Sequence, residues 1–235
     1  KFSNRAKEKK DKLKVKKGTN RFNWNMRYED AKSFDKMILW WASLNGPKAM
    51  PGKYEVQLMV DDMIQNVDFV ILKDPRIKTN DKELREQFDF LNEIKSKMSE
   101  AHEAIIEIRD IRSQLKNYTG RLSKDNSTQP VFEKANAIDS MMLLIENELY
   151  QTKNQSRQDP LNFPIKLTNK LGHLNSLVSG GDYPPTAQAI EVKNVLTKEI
   201  NDQLNLFVKI KAIELPKFNQ LVKEAQIDAI ILKED

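Results

Sequence analysis

The amino-acid sequence predicts an α+β protein that is mainly α, with a small antiparallel β module followed by an antiparallel bundle of about four long helices. Between residues 18 and 78, apolar and polar residues alternate with the period of a strand, whereas residues 79–227 carry apolar residues at heptad spacing. Only seven of the 235 residues are glycine and 31% are charged, which is typical of long solvated helices. Residues 1–17 form a basic arm or edge strand before these two parts, and residues 228–235 form a C-terminal strand or tail.

Three segments of residues 18–78 predict strands. Arg21–Tyr28 and Tyr54–Val60 alternate, and Val67–Leu72 is a short apolar run that a polar reversal joins to the second segment as a hairpin. We therefore expect at least three antiparallel strands, with residues 29–50 as a long excursion. So small a sheet has difficulty burying both faces. The module is expected to be an immunoglobulin-like sandwich whose first strands precede the chain or come from residues 1–17.

The first predicted helix has clear boundaries. Thr79 or Asn80 can cap it, with Glu83 placed to complete a capping box, and the helix is expected to run from Asp81 to Tyr118. Its core residues form two interleaved seven-residue series: Leu91, Met98 and Ile105, and Ile94, Ala101, Ile108 and Leu115. Arg112 falls on the first series and interrupts it.

Further helices follow at short intervals. They are expected from Pro130 to Lys153, from Pro164 to Gly180, from Ala187 (capped by Thr186) to Ile213, and from Pro216 onward. Their apolar stripes are Val131, Ala135, Ile138, Met142, Ile145 and Leu149; Leu167, Leu171, Leu174 and Val178; and Ile190, Val195, Leu196, Ile200, Leu204, Phe207 and Ile210. Short connectors predict antiparallel packing within one chain, although such heptads could also pair between chains.

The net charge of +5 is unevenly distributed. Residues 1–17 carry nine Lys or Arg residues and two acids, so the remaining 218 residues have a net charge of −2. The arm could bind an anionic polymer through its lysines. It could equally be a solvated linker or an edge strand whose lysines prevent unwanted pairing. Because Phe2 is its only aromatic residue, nucleic-acid binding is not favoured.

The residues that usually carry chemistry are scarce. The chain has no cysteine and only two histidines, and it lacks glycine-rich phosphate loops and the Glu-x-x-His pairs of di-iron bundles. We therefore expect no cofactor and no metal site. No stretch approaches about 18 uninterrupted apolar residues, so no transmembrane segment is expected either. His102 is expected at the boundary of the core and His173 exposed or partly buried, while helical glutamates such as Glu146 are interpreted as solvated.

Four aromatic residues are the candidate site. Trp24, Trp40, Trp41 and Tyr54 are expected to organise the β core or its contact surface. One ring of the Trp40–Trp41 pair could pack inward while the other contacts a sugar or a protein partner.

The order of several motifs resembles the C-terminal region of sortilin-like β-propeller proteins, which carry Asp-box (BNR-type) repeats and are often labelled glycosyl hydrolases. Lys17–Tyr28 is similar to their "G-x-N-R-F-x-W-D-x-R-Y" segment, except that Asn25 stands where the family usually has Asp. The similarity continues through Met37–Trp40, Gly46–Ala49, Pro51–Tyr54, Leu72–Arg76, Gln87–Asp89, Asn162–Leu167 and Leu215–Asn219.

The resemblance implies that the chain follows a propeller in an exported protein that is secreted or held in the cell envelope. It carries over no catalytic residue, because the repeats lie outside this sequence. The leading hypothesis is a non-catalytic structural or interaction module whose partner is the propeller of the same polypeptide, or another protein or a carbohydrate. The alternatives are an accessory part of a glycoside hydrolase-type enzyme and a module that binds anionic polymers through its arm.

Overall fold

The computed structural model describes residues 15–122 and 127–227. Its strands are β1 (Gly52–Val60) and β2 (Met63–Ile71), and its helices are α1 (Asp81–Thr119), α2 (Gln129–Leu149), α3 (Leu167–Val178), α4 (Ala187–Lys209) and α5 (Leu215–Glu224). A 3-10 turn (Asp159–Leu161) precedes α3, and a π-helical turn (Ile210–Glu214) joins α4 to α5. The predicted class is confirmed: the chain is mainly helical, and a small antiparallel β element precedes the helices.

The helices form three rods that pack side by side. α1 is the first rod, α2 and α3 in succession form the second, and α4 with α5 forms the third. Arg109 of α1 pairs with Glu146 of α2, and Gln87 near the start of α1 contacts the end of α3, so the second rod runs antiparallel to the first. Lys193 near the start of α4 pairs with Glu93 in the first half of α1, and Phe218 of α5 contacts Tyr118 at the end of α1. The third rod therefore runs parallel to α1.

The predicted heptad residues of α1, α2 and α3 form the core that the three rods share. Met98, Ile105, Ile138, Met142 and Leu171 are completely buried. On α4 the prediction is partly wrong: Leu196, Ile200, Leu204 and Phe207 are buried, but Ile190 and Val195 are exposed. These two residues lie on the outer side of the third rod, where no other rod covers them.

Local signals act as predicted at the starts of α1, α4 and α5, but Pro164 lies before α3, which begins at Leu167, and α2 ends at Leu149 and not at Lys153. The side chain of Asn80 accepts a hydrogen bond from the Glu83 amide, and the Glu83 carboxylate accepts one from the Asn80 amide. At α4 the Thr186 hydroxyl accepts a hydrogen bond from the Ala189 amide, without the reciprocal bond of a capping box. Pro216 lies in the first turn of α5 and lacks an N–H group. The wider π-helical turn comes immediately before it, and there the Leu215 amide donates a hydrogen bond to the Ile210 carbonyl.

The β module is smaller than predicted. Among the described residues, the only sheet has two strands, with Tyr54 opposite Phe69 and Val60 opposite Met63. The predicted strand at residues 21–28 is wrong: its one ladder contact is an isolated bridge between Arg27 and Lys48. The alternation is interrupted because the Asn25 side chain bonds the Arg27 amide in a turn and Met26 takes a left-handed conformation, with φ of 57°.

The predicted basic arm and the C-terminal strand or tail lie mostly outside the described residues. Only positions 15–17 of the arm are described, and they are exposed. The expected contribution of residues 1–17 to a sandwich, and the strand or tail at residues 228–235, therefore stay predictions.

Candidate interaction surface

A closed loop, residues 26–49, carries the hairpin and joins it to the helices; we call it the anchored loop. Its two ends are paired, since the Tyr28 amide donates to the Pro47 carbonyl at 3.0 Å and the Ala49 amide donates to the Met26 carbonyl at 2.7 Å. Gly46 is required at this closure because a Cβ atom there would lie 2.3 Å from the carbonyl oxygens of Tyr28 and Glu29. The paired ends hold the loop as one body, so whatever fixes its tip also fixes the root of the hairpin.

The tip of the anchored loop is bound by polar side chains of α3. Asn169 makes two hydrogen bonds to one residue: the Trp40 amide donates to Oδ1 at 2.7 Å, and Nδ2 donates to the Trp40 carbonyl at 2.9 Å. Asn175 donates to the carbonyls of Ser43 and Asn45 at 3.0 and 3.1 Å. Both asparagines are buried, so these bonds satisfy loop backbone groups that the packing shields from water.

Close backbone contact accompanies these bonds. The Ser43 amide donates to the Gly172 carbonyl at 3.2 Å, and a Cβ atom at Gly172 would lie 2.8 Å from that of Ala42. Glycine is therefore the residue that lets the loop approach α3 so closely. Sequence patterns did not indicate this role, because a glycine inside a helix usually signals only a weak helix former.

A second anchor lies between the loop and α1. His102 is completely buried, so the prediction that it lies at the core boundary is wrong. Its Nδ1 donates a hydrogen bond to the Lys32 carbonyl at 2.5 Å. Phe34 of the loop meets the rings of His102 and Tyr150 edge-on, at centroid distances of 5.4 and 5.0 Å. The Tyr150 hydroxyl also accepts a hydrogen bond from the Ile38 amide at 2.8 Å. The loop covers His102, and the helical pattern alone could not reveal that cover.

An ion-pair network supports this second anchor. Glu146 is buried, which makes its interpretation as a solvated residue wrong, and its carboxylate accepts hydrogen bonds from Arg109 at 2.6 Å and Arg112 at 2.9 Å. Arg112 also pairs with Asp139 at 2.8 Å, which explains how a charged residue occupies a heptad core position. The Arg109 guanidinium lies over the Phe34 ring, 4.5 Å from its centroid, and so links the network to the loop.

The hairpin that follows the loop has one apolar face without cover. Because paired residues of antiparallel strands point to the same side, β1 and β2 together align one set of side chains, which is apolar except for the neutral Gln65 opposite Leu58. We call its uncovered part the bare face: Val56, Leu58, Val60, Met63 and Val67. These side chains are 47% to 70% exposed. Their alternation predicted a shared face, and the structure shows that no described residue buries it.

The opposite face of the hairpin is polar near its middle. We call Lys53, Glu55, Gln57, Asn66 and Asp68 the polar face. Glu55 lies directly opposite Asp68, a like-charge pair that destabilises a two-stranded sheet. The bare face carries no charged side chain. The polar face also exposes Met59 and Ile64 near the hairpin turn and Val70 near its root, so the two faces differ in that all charged side chains of the paired strands lie on the polar face.

Two of the four predicted site residues meet at the root of the bare face. The ring of Trp24 contacts Tyr54 and Phe69 at centroid distances of 6.1 and 6.3 Å, and Tyr54 stacks on Phe69 at 5.6 Å. The Tyr54 hydroxyl donates to the Met50 carbonyl at 2.8 Å, while burial and the neighbouring Tyr28 raise the pKa of Tyr54. This aromatic cluster covers the first third of the apolar face and leaves the rest open.

The other two predicted site residues lie elsewhere. Trp40 is half-buried and Trp41 is 79% exposed, and both belong to the part of the loop that α3 binds. Among the described residues, no ring contact joins them to Trp24 or Tyr54, so the four aromatics do not form one site. Trp41 has a left-handed backbone with φ of 51°, and the carbonyl of Trp40 before it is held by Asn169 and His173.

Comparisons with protein families, curated proteins and solved structures found no match for this chain. Within residues 15–122 and 127–227, no group of three His, Asp or Glu side chains is arranged to hold a metal ion. In the same part of the chain, no helix combines the length and apolar character needed to cross a bilayer.

Proposed function

We propose that this chain is a non-catalytic interaction module, in which a helical bundle holds an apolar hairpin in position to dock on a neighbouring domain of the same polypeptide. The observation that carries the proposal is the bare face, an uncharged strip of five exposed apolar side chains on a two-stranded sheet. An isolated two-stranded hairpin is marginally stable in water, and exposed apolar patches mark contact sites. The anchored loop is attached both to α3 and to α1, and this attachment supports the proposal that the bundle holds the hairpin in position for contact.

The size of the bare face favours a partner that is covalently tethered. The bare face spans five paired positions of the two strands, and at about 3.4 Å per residue and about 4.8 Å per strand its area is roughly 160 Å², well below the roughly 800 Å² per partner of a stable interface. At about 25 cal/mol per Å², burying it would contribute about 4 kcal/mol, which only matches the lower end of the roughly 4–15 kcal/mol that free association costs. A tether removes most of that cost by raising the effective concentration.

The chemistry of the face also restricts the partner. Since the bare face has no charged group, a docked surface that buried a charge there would leave it unpaired, at a cost of several kcal/mol. The partner surface is therefore apolar, and another sheet satisfies this best because side chains of two packed sheets interdigitate at about 10 Å. The resemblance of residues 17–28 to the region behind a sortilin-like propeller supports a β-propeller as that domain, in a secreted or envelope protein.

Photo-crosslinking in the complete open reading frame tests the proposal. Benzoyl-phenylalanine would replace Val67 on the bare face in one protein and its neighbour Asn66 on the polar face in the matched control. We expect the probe at Val67 to crosslink to residues of the same polypeptide that lie outside this sequence, and the probe at Asn66 to do so far less. Equal yields at both positions, crosslinks only between copies, or a reading frame with no further domain would each overturn the proposal.

A further inference from the structure

The two histidines of the sequence bind the same loop. His102 of α1 contacts the Lys32 carbonyl, and His173 of α3 contacts the Trp40 carbonyl. Both carbonyls belong to the anchored loop, on either side of Phe34. Imidazole is the side chain whose charge changes between about pH 5 and 8. The attachment of the loop to the bundle therefore depends on the groups in the chain most sensitive to mild acid.

The geometry fixes the protonation state of His102. A carbonyl oxygen can only accept, so Nδ1 carries the proton that is donated to Lys32 and Nε2 holds the lone pair. Nε2 is buried and has no hydrogen-bond partner among the described residues. A proton added to Nε2 would create a cation with no acceptor in a site shielded from water.

The surroundings of His102 offer no compensating carboxylate. Charged and titratable side chains on the packed elements are engaged or exposed: Arg109 of α1 pairs with Glu146 of α2, Tyr150 binds the loop, and Lys32, Asp35 and Lys36 of the loop face solvent. On α3, His173 binds Trp40, and the other polar residues that face the loop are neutral. Phe34 closes the site against the imidazole ring.

We propose that His102 is a pH-sensitive latch, which holds the anchored loop on the bundle at neutral pH and releases it when Nε2 becomes protonated. Release frees the loop segment around Lys32 and Phe34 from α1, while Asn169 and Asn175 still bind the loop tip to α3. The inference does not depend on the partner of the bare face. His173 differs from His102 in one respect: it is only half-buried.

The sign of the effect follows from burial. Burial lowers the pKa of His102 in the closed state, whereas in the open state the pKa returns toward its ordinary value of about 6.5. The closed state is therefore fully favoured above about pH 6.5 and loses stability as the pH falls below it. For one proton, opening between pH 7 and 5 can increase by at most about 25-fold.

Hydrogen exchange of the loop amides tests the latch. The Lys32 amide donates to the Ser99 hydroxyl of α1 at 3.0 Å and the Ile38 amide donates to the Tyr150 hydroxyl, so the protection of these two amides, corrected for intrinsic exchange, reports opening at His102. We expect protection in the wild type to fall by up to about 25-fold from pH 7 to 5. In His102→Asn, whose amide nitrogen can replace Nδ1 as donor but cannot titrate, protection should change less than twofold. His173→Gln should keep the pH dependence of the wild type.

A direct titration keeps the proposal testable if His102→Asn fails to fold. Imidazole NMR signals of the wild type should show His102 as the Nδ1–H tautomer at neutral pH, titrating well below about 6.5. Titration of His102 at its ordinary pKa would overturn the latch, and so would a His102→Asn protein that keeps the pH dependence of the wild type.

Discussion

Asn169 attaches the anchored loop to α3, and truncating its side chain measures the strength of that attachment. In Asn169→Ala, the Trp40 amide and carbonyl lose bonds of 2.7 and 2.9 Å. At about 0.5–1.5 kcal/mol net for each bond, the loss is about 1–3 kcal/mol. Alanine is a better helix former than asparagine, and this stabilises the variant by about 0.5 kcal/mol. We expect the free energy of unfolding to decrease by about 0.5–2.5 kcal/mol.

Urea unfolding, followed by tryptophan fluorescence for the loop and by circular dichroism for the helices, measures this loss. Lys170→Ala is the matched control, because Lys170 is the next residue of α3, is exposed and has no ion pair among the described residues, so its effect should stay within about 0.5 kcal/mol. Asn169→Asp should cost more than Asn169→Ala at neutral pH, since it places a carboxylate oxygen against the Trp40 carbonyl. If Asn169→Ala is no more destabilising than Lys170→Ala, the proposed anchor is refuted.

Three further predictions concern the anchors. Gly172→Ala should lower the free energy of unfolding by about 1–2 kcal/mol in urea, because its Cβ would lie 2.8 Å from that of Ala42; wild-type stability would contradict the close contact. Glu146→Gln should lower the free energy of unfolding by about 3 kcal/mol, because it leaves two arginines without their shared buried carboxylate. The control Glu148→Gln, at an exposed position, should lower it by less than about 1 kcal/mol. Similar thermal unfolding of the two variants would contradict this prediction. The wild type should lose stability to urea between pH 7.5 and 5.5, because folding lowers the pKa of His102, and His102→Asn should lose less; an equal loss would exclude His102 as the cause.

Short-range patterns predicted the helical part well. Heptad spacing identified Met98, Ile105 and Met142 as core residues because a helix brings positions seven apart to one side whatever surrounds it. The capping box at Asn80 and Glu83 is equally local. Where the spacing was interrupted, at Arg112, the cause lies on another helix, in Asp139 and Glu146, and so could not be read from α1 alone.

Contacts between distant parts of the chain were beyond the sequence patterns. The alternation around Trp24 predicted a strand, but a left-handed residue at Met26 turns the chain there. His102 was predicted at the core boundary because the helical pattern contains no information on Lys32, the loop residue that it contacts 70 positions earlier. The same limit applies to the bare face: alternation shows which side chains share a face, and packing decides whether anything covers them.

Hydrogen exchange of the hairpin tests the central claim most directly. The amides of β1 and β2 should be measured in this chain alone and in the complete reading frame, with amides of α1 as an internal reference. We expect weak protection in the chain alone, because a two-stranded sheet with a bare apolar face is marginally stable, and at least about tenfold stronger protection in the complete protein. Equal protection of the hairpin in both would contradict the claim that its bare face is a docking surface for a tethered domain.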